Sequence, residues 1–198
     1  MSGYHHGDLK AALISEGLKI LDTEGYDAFS MRKVAKACNV SQTAPYRHFK
    51  DKDELIAAIA LYAMGAFNES LEQAVAAYPE DFHKQIMEMG VCYVRFFVEN
   101  PVYLRLLFLG SLRQKFDACM VSNQGHMEGG HPFHTFNNAV LRYKSGACGD
   151  TRSVEELLLG FWGLVHGIAV LIVNGDIQLE GDYLETVRKT IWRHHLLS

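Results

Sequence analysis

Ser30-Met31-Arg32-Lys33-Val34-Ala35-Lys36-Ala37-Cys38-Asn39-Val40-Ser41-Gln42-Thr43-Ala44-Pro45-Tyr46-Arg47-His48-Phe49-Lys50-Asp51-Lys52 reads as two short helices joined by a tight turn. Ser30 can cap a helix whose apolar positions Met31, Val34, Ala35 and Cys38 recur at the one-face spacing of an α-helix. Asn39 and Val40 supply the turn, because Asn tolerates the left-handed backbone of a helix end. Ser41 is expected to cap a second helix over 41–49 whose first turn is Gln42, Thr43, Ala44 and Pro45. Six basic residues stand in 31–52 against Asp51 alone, a local charge of +5 on a chain of −4. Such a local excess on an acidic protein points to phosphate contact.

Outward from this stretch, 198 residues allow one or two domains with a substantial core. An apolar content of 48% with 21% charged residues argues against disorder. No alternating polar and apolar run with hairpin turns occurs, so the expected fold class is all-α, with about nine helices. Cys38, Cys92, Cys119 and Cys148 are scattered with no CxxC pair, which suggests reduced thiols and a cytoplasmic protein. The first eight residues lack the basic region and apolar run of a secretory signal. Only 157–173 resembles a membrane span. It is short, holds His166, and has acidic flanks at Glu155, Glu156 and Asp176, so it is expected to be a helix buried in a bundle or dimer.

Charge divides the chain. Residues 1–56 are neutral, with their basic groups concentrated after residue 30, while 57–198 carry the acidic excess. A head at 1–56, with its motif at 30–49, and a body at 57–198 are the expected domains. Helices are expected over 7–23 with a stop at Gly25, over 51–76 opened by a capping box at Asp51 and Glu54, and over 82–98. Leu55, Ile59, Tyr62, Ala63 and Phe67 should face inward from the second of these. A short helix to 108, a loose Gly-rich stretch over 121–133, and helices over 133–145, 153–174 and 182–196 complete the reading.

Helix-turn-helix spacing alone also fits a plain helical hairpin with a solvated basic face. Three details favour DNA. A helix N-terminus at Ser41 offers free N–H groups to a phosphate, Gln42 and Thr43 stand where a recognition helix reaches base edges, and Tyr46, Arg47, Lys50 and Lys52 cluster nearby. The pattern Gly25-Tyr26-x-x-Phe29-Ser30-Met31-Arg32-x-Val34-Ala35, followed by Val40-Ser41-x-x-x-x-Tyr46-Arg47-His48-Phe49-x-Asp51-Lys52-x-x-Leu55, resembles the tetracycline-repressor (TetR) family of bacterial transcription regulators. The resemblance covers about 7–67. It implies an all-helical homodimer with a DNA-binding head and a ligand-sensing body. By position it implies phosphate contacts at Tyr46 and Lys52, groove contacts at Gln42 and Thr43, and a core plug at Phe49. Arg32, Ser41, Arg47, His48 and Lys50 complete the expected DNA-binding set, Arg47 standing where the family varies. Tyr4-His5-His6-Gly7-Asp8-Leu9 resembles the short arm of one subgroup, or is simply a disordered start.

In the body, Asn100-Pro101-x-Tyr103-x-Arg105-Leu106-x-Phe108 and Trp162-x-x-x-His166-Gly167 resemble the subgroup whose regulatory domain bears a Trp-His-Gly signature. Trp162 and His166 share a helix face. They are either a packed core or, with Met87, Phe97 and Tyr103, the wall of an effector cavity in the region 82–174. Gly160, Gly163 and Gly167 form a narrow stripe that suits a dimer seam. His126, His131 and His134 with Cys119 invite a metal, but Pro132 intervenes and no carboxylate completes a tight spacing, so no metal and no cofactor is expected. No phosphate-binding Gly loop, Gly-x-Ser-x-Gly elbow or His-Glu-x-x-His is present, and no catalytic residue is assigned. The expected partners are palindromic double-stranded DNA, a small apolar or amphipathic effector and a second copy of the chain, with no membrane. A helical-bundle enzyme and a dimeric partner-binding protein without DNA affinity are the competing classes.

Overall fold

A computed structural model describes residues 9–108, 131–147 and 150–196. Among them the chain is all-helical, with eight α-helices, one 3-10 turn and no strand. In order these are α1 (Leu9–Ala28), α2 (Met31–Ala37), the 3-10 turn (Pro45–Arg47), α3 (Lys52–Ala77), α4 (Phe82–Glu99), α5 (Pro101–Phe108), α6 (Pro132–Gly146), α7 (Val154–Val173) and α8 (Tyr183–Leu196). The expected arm except for Leu9, together with Cys119, His126 and all but the end of the 121–133 stretch, lies outside the described residues. Two compact units divide the chain, one formed by residues 1–63 and 102–126, the other by 64–101 and 127–198.

The first unit is held by the apolar positions its sequence spaces along α1, α2 and the start of α3. Leu13, Phe29, Val34, Ala35, Phe49, Leu55 and Ile59 are at most 3% exposed. Burial of each large side chain stabilises by about 1.5–3 kcal/mol. Gly25 adopts φ 76°, a left-handed conformation that costs glycine little, and breaks α1 just where a stop was expected. At the start of α3 the capping box is half formed. Asp51 accepts from the Glu54 N–H at 2.9 Å, whereas the Glu54 carboxylate turns to the Lys50 N–H instead of reaching back to Asp51. Tyr62 is a correction. It was expected inward and is 57% exposed, because the buried arc of α3 centres on Ile56, Ala60, Ala63 and Phe67 and, at 100° per residue, position 62 falls off its edge.

In the second unit α4 is the central helix, packed by α6, α7 and α8. Gly90 is where α7 and α8 both close on it, since a Cβ there would meet Val165 Cγ1 at 3.1 Å and Ile191 Cδ1 at 3.2 Å. Ser153 caps α7 with a complete capping box, its Oγ accepting from Glu156 N and the Glu156 carboxylate accepting from Ser153 N. Glu156 thus closes the cap, and Glu155 lies in the same first turn, where an acid is favoured by the helix dipole. Helix α7 is long and apolar enough to cross a membrane by length and composition alone. It was expected to be covered on all sides. Within the chain only Leu157, Val165 and Ala169 are buried, and Leu159, Trp162 and Leu171 are exposed.

Candidate nucleic-acid interface

The interface is built on two helix ends. Ser30 caps α2 by accepting from the Lys33 N–H at 3.3 Å, and Met31, Val34, Ala35 and Cys38 point into the core. The far end closes as a Schellman motif. Asn39 sits at φ 55°, its N–H donates to the Lys36 carbonyl at 3.1 Å, and the Val40 N–H donates to the Ala35 carbonyl at 3.0 Å. Asn39 is therefore the left-handed turn residue the sequence pointed to.

The second helix of the motif is shorter than expected. Over 41–49 only Pro45–Arg47 is helical, as a single 3-10 turn, and its cap position is Ala44 rather than Ser41. Pro45 has no N–H to give the Ser41 carbonyl, so the i to i+4 ladder cannot start there. Ala44 N takes the Ser41 carbonyl as an i to i+3 turn at 3.0 Å instead. The Pro45 carbonyl then receives both His48 N and Phe49 N, each at 3.0 Å. Ser41 Oγ pairs with Thr43 Oγ1 at 3.1 Å, so the expected cap is not made.

Alternation along this segment sorts the side chains. Pro45 and Phe49 are buried, while Arg32, Ser41, Gln42, Thr43, Tyr46, Arg47 and Lys50 are exposed and His48 and Lys52 are half-buried. Lys33 is ion-paired to Glu24. Arg32, Lys36, Arg47 and Lys50 make no ion pair among the described residues and present uncompensated charge. Lys52 is held differently. Its ammonium lies 4.0 Å from the centre of the Tyr26 ring and donates to the Tyr26 carbonyl at 3.3 Å, and the Tyr26 hydroxyl donates to Asp53 Oδ1 at 2.8 Å. Tyr26 was read only as part of a motif. Its role as a cradle for Lys52 depends on a contact across 26 residues that no local pattern reveals.

The expected effector residues are divided between the two units. Tyr103 belongs to the first unit, whereas Met87, Phe97, Trp162 and His166 belong to the second. Met87 and Phe97 are buried, and Phe97 stands in a packed cluster with Phe67, Tyr93 and Phe96 at ring-centre distances of 4.8–5.1 Å. His166 Nδ1 is 2.8 Å from the Tyr93 hydroxyl. Burial pushes the Tyr93 phenol well above its ordinary range, with a smaller opposing contribution from a hydrogen bond to Trp162. Trp162 is 36% exposed, its ring 6.1 Å from that of Phe133. Gly160, Gly163 and Gly167 have open space where a Cβ would stand.

His131 and His134 bring their rings to 5.6 Å, but His131 Nδ1 accepts the Phe133 N–H as the cap of α6. Burial lowers the His131 pKa, with His134 adding to the effect. Among the described residues no group of three or more His, Cys, Asp or Glu could hold a metal. Cys38 and Cys92 form no disulfide among the described residues, and burial pushes their thiol pKa values up, which disfavours the reactive thiolate.

Among the described residues the chain is all-helical, and its exposed Gln42 and Thr43 stand between cations that make no ion pair there, the arrangement of a helix-turn-helix DNA-binding protein. Comparison with known proteins gives its family. Residues 13–59 match the model of the bacterial regulatory proteins of the tetR family, and residues 86–193 match the tetracyclin repressor-like C-terminal domain. The chain belongs to the TetR family of DNA-binding transcription regulators, which are not enzymes. An HTH-type transcriptional regulator of Staphylococcus aureus is 27% identical over 99 residues, a match covering 50% of this chain and 52% of that protein. The matched region thus spans about half the length of the curated relative. Among solved structures, a protein of unknown function from Rhodococcus is 21% identical with a TM-score of 0.72, covering 98% of each chain. A TetR-family transcriptional regulator from Haemophilus influenzae is 24% identical with a TM-score of 0.64, covering 95% of this chain and 96% of that one.

Proposed function

We propose that the protein is a cytoplasmic homodimeric repressor that leaves its operator when a small apolar or amphipathic effector binds. The head at 1–56 contacts DNA through Arg32, Ser41, Gln42, Thr43, Tyr46, Arg47, His48, Lys50 and Lys52, and the body at 57–198 senses and dimerises. The observation that carries this reading is the exposure of Gln42 and Thr43 between Arg32, Lys36, Arg47 and Lys50, cations that make no ion pair among the described residues. Short polar groups there can reach base edges while the cations hold the phosphates. A two-fold dimer then requires a palindrome with half-sites about one helical turn apart, or a multiple of it.

The open stripe of Gly160, Gly163 and Gly167, flanked by exposed Leu159 and Leu171, supports a second copy as the cover of α7 in preference to a membrane. Placement in the Trp-His-Gly subgroup rests on Trp162, His166 and Gly167 together with the Asn100-Pro101-x-Tyr103-x-Arg105-Leu106-x-Phe108 pattern. Release works only if the effector binds the DNA-free state more tightly than the DNA-bound state. Selection of bound duplexes from the protein's own genomic DNA, followed by binding at several salt concentrations, tests the reading. One palindromic class with steep salt dependence is expected. Failure to enrich any duplex would leave a partner-binding dimer as the better description.

A further inference from the structure

Between helices α3 and α6 lies a solvent-open cleft of about 230 Å³ lined by Glu72, Val75, Ala76, Thr135, Asn138 and Arg142. All six belong to the second unit. Thr135, Asn138 and Arg142 are spaced i, i+3 and i+7, so α6 presents them as one polar stripe. Arg142 Nε is buried and has no hydrogen-bond partner, and its guanidinium makes no ion pair among the described residues. A buried donor left unmade is costly, and a guanidinium offers five donors in a planar fork that fits a carboxylate two-pronged.

The rest of the cleft is arranged in advance. Asn68, 1% exposed, donates to Glu72 Oε1 at 2.9 Å and accepts from Thr135 Oγ1 at 2.7 Å. That bridge fixes Glu72 and Thr135 on opposite walls without involving Arg142. Val75 and Ala76 add an apolar wall on the α3 side. One cation beside one fixed carboxylate selects a singly charged anion, because Glu72 repels a second negative charge, and Glu72 can accept a hydrogen bond from a hydroxyl. A benzene ring needs roughly 150 Å³, so this open cleft has room for an aromatic acid or a short acyl chain.

We propose that this cleft binds a small monocarboxylate, its carboxylate on the Arg142 guanidinium and its apolar part against Val75 and Ala76. The proposal rests on the effector-sensing reading above and names the chemical class of the effector. It is tested on the full chain by titrating benzoate, 4-hydroxybenzoate and hexanoate, their neutral amides, and inorganic phosphate. Binding is followed by calorimetry and by the Arg142 Nε–H resonance, and operator binding is measured in parallel. The carboxylates should move that resonance and bind at least about tenfold more tightly than their amides and than phosphate. Arg142→Gln should lose at least that factor, with Arg142→Lys between the two. Carboxylates that bind no better than amides, that bind Arg142→Gln equally, or that do not bind at millimolar concentration overturn the proposal. Should Arg142→Gln fail to fold, the carboxylate-to-amide ratio on the unaltered chain decides. DNA binding without carboxylate binding sinks this proposal alone, whereas carboxylate binding without any bound duplex sinks the repressor reading alone.

Discussion

The Lys52 ammonium rests 4.0 Å from the centre of the Tyr26 ring and donates one hydrogen bond to the Tyr26 carbonyl. Lysine carries three donors, so two stay available to a phosphate while the ring holds the chain in place. Replacing Lys52 by Ala should weaken binding to every duplex and lower the slope of log K against log salt by about 0.9. Tyr26→Ala keeps the charge and removes the cradle. Its slope should stay unchanged while affinity falls by no more than about 1 kcal/mol. Salt titrations of both variants separate the two roles, and an unaltered slope for Lys52→Ala would take that residue out of the interface.

Gln42 should behave in the opposite way. Its side chain is exposed at the tip of the turn and carries no charge, so Gln42→Ala should relax preference at one base position by about 1–3 kcal/mol and leave the salt slope as it was. Competition between operator variants reads this directly. A uniform loss across all sequences would mean that Gln42 does not read a base.

Gly163 has open space around the place of a Cβ, so a larger side chain fits the isolated subunit. If a partner helix lies on that stripe, Gly163→Leu forces an overpacked seam costing about 1–3 kcal/mol. Sedimentation should then find monomer at concentrations where the parent chain is dimeric. A variant that remains fully dimeric would move the seam elsewhere.

Asp150 joins α6 to α7. It accepts from Arg152 Nε at 3.0 Å, Arg152 Nη2 at 2.6 Å, Arg152 N at 3.0 Å and the Tyr143 hydroxyl at 3.3 Å. The Arg152 hydrogen bonds hold its carboxyl well below the usual carboxylate range, against a smaller opposing effect of burial. A depressed carboxyl stabilises the fold above its unfolded pKa of about 3.9 and loses that contribution as pH falls below it. Asp150→Ala should lower stability by about 1.5–3 kcal/mol at neutral pH and reduce the loss seen on acidification. Denaturant titrations at neutral and acid pH check both statements.

Tyr103 supplies the alkaline counterpart. Burial, with Tyr62 adding to it, pushes its phenol up to about 12, above the unfolded value of about 10. Between those values the unfolded chain has lost a proton that the folded chain keeps, so stability falls as pH rises, by at most about 1.4 kcal/mol per unit. Below about pH 10 the group contributes no slope. Tyr103→Phe should flatten this limb of the stability profile, and an unchanged limb would assign it to other groups.

Much of this was legible in the sequence because it is local. The cap at Ser30, the left-handed Asn39, the stop at Gly25 and the helix break at Asn100-Pro101 are each decided within a few residues. The 41–49 helix was misjudged because a missing N–H at Pro45 outweighed a favourable capping residue at Ser41. Tyr62 was misjudged because periodicity gives the centre of a buried arc better than its edges. The Asn68, Glu72, Thr135 and Arg142 arrangement lay beyond reading altogether, since its two halves sit more than sixty residues apart. Its one local trace was the polar spacing of Thr135, Asn138 and Arg142.

Within the second unit, Asn68 and Glu72 stand one helical turn apart on α3, and the Asn68 amide ties both to Thr135 of α6. Such a tie removes side-chain freedom from two helices at once, before anything occupies the cleft between them. An incoming molecule therefore meets a wall whose ordering was completed during folding, and little further entropy is lost on that side when it binds.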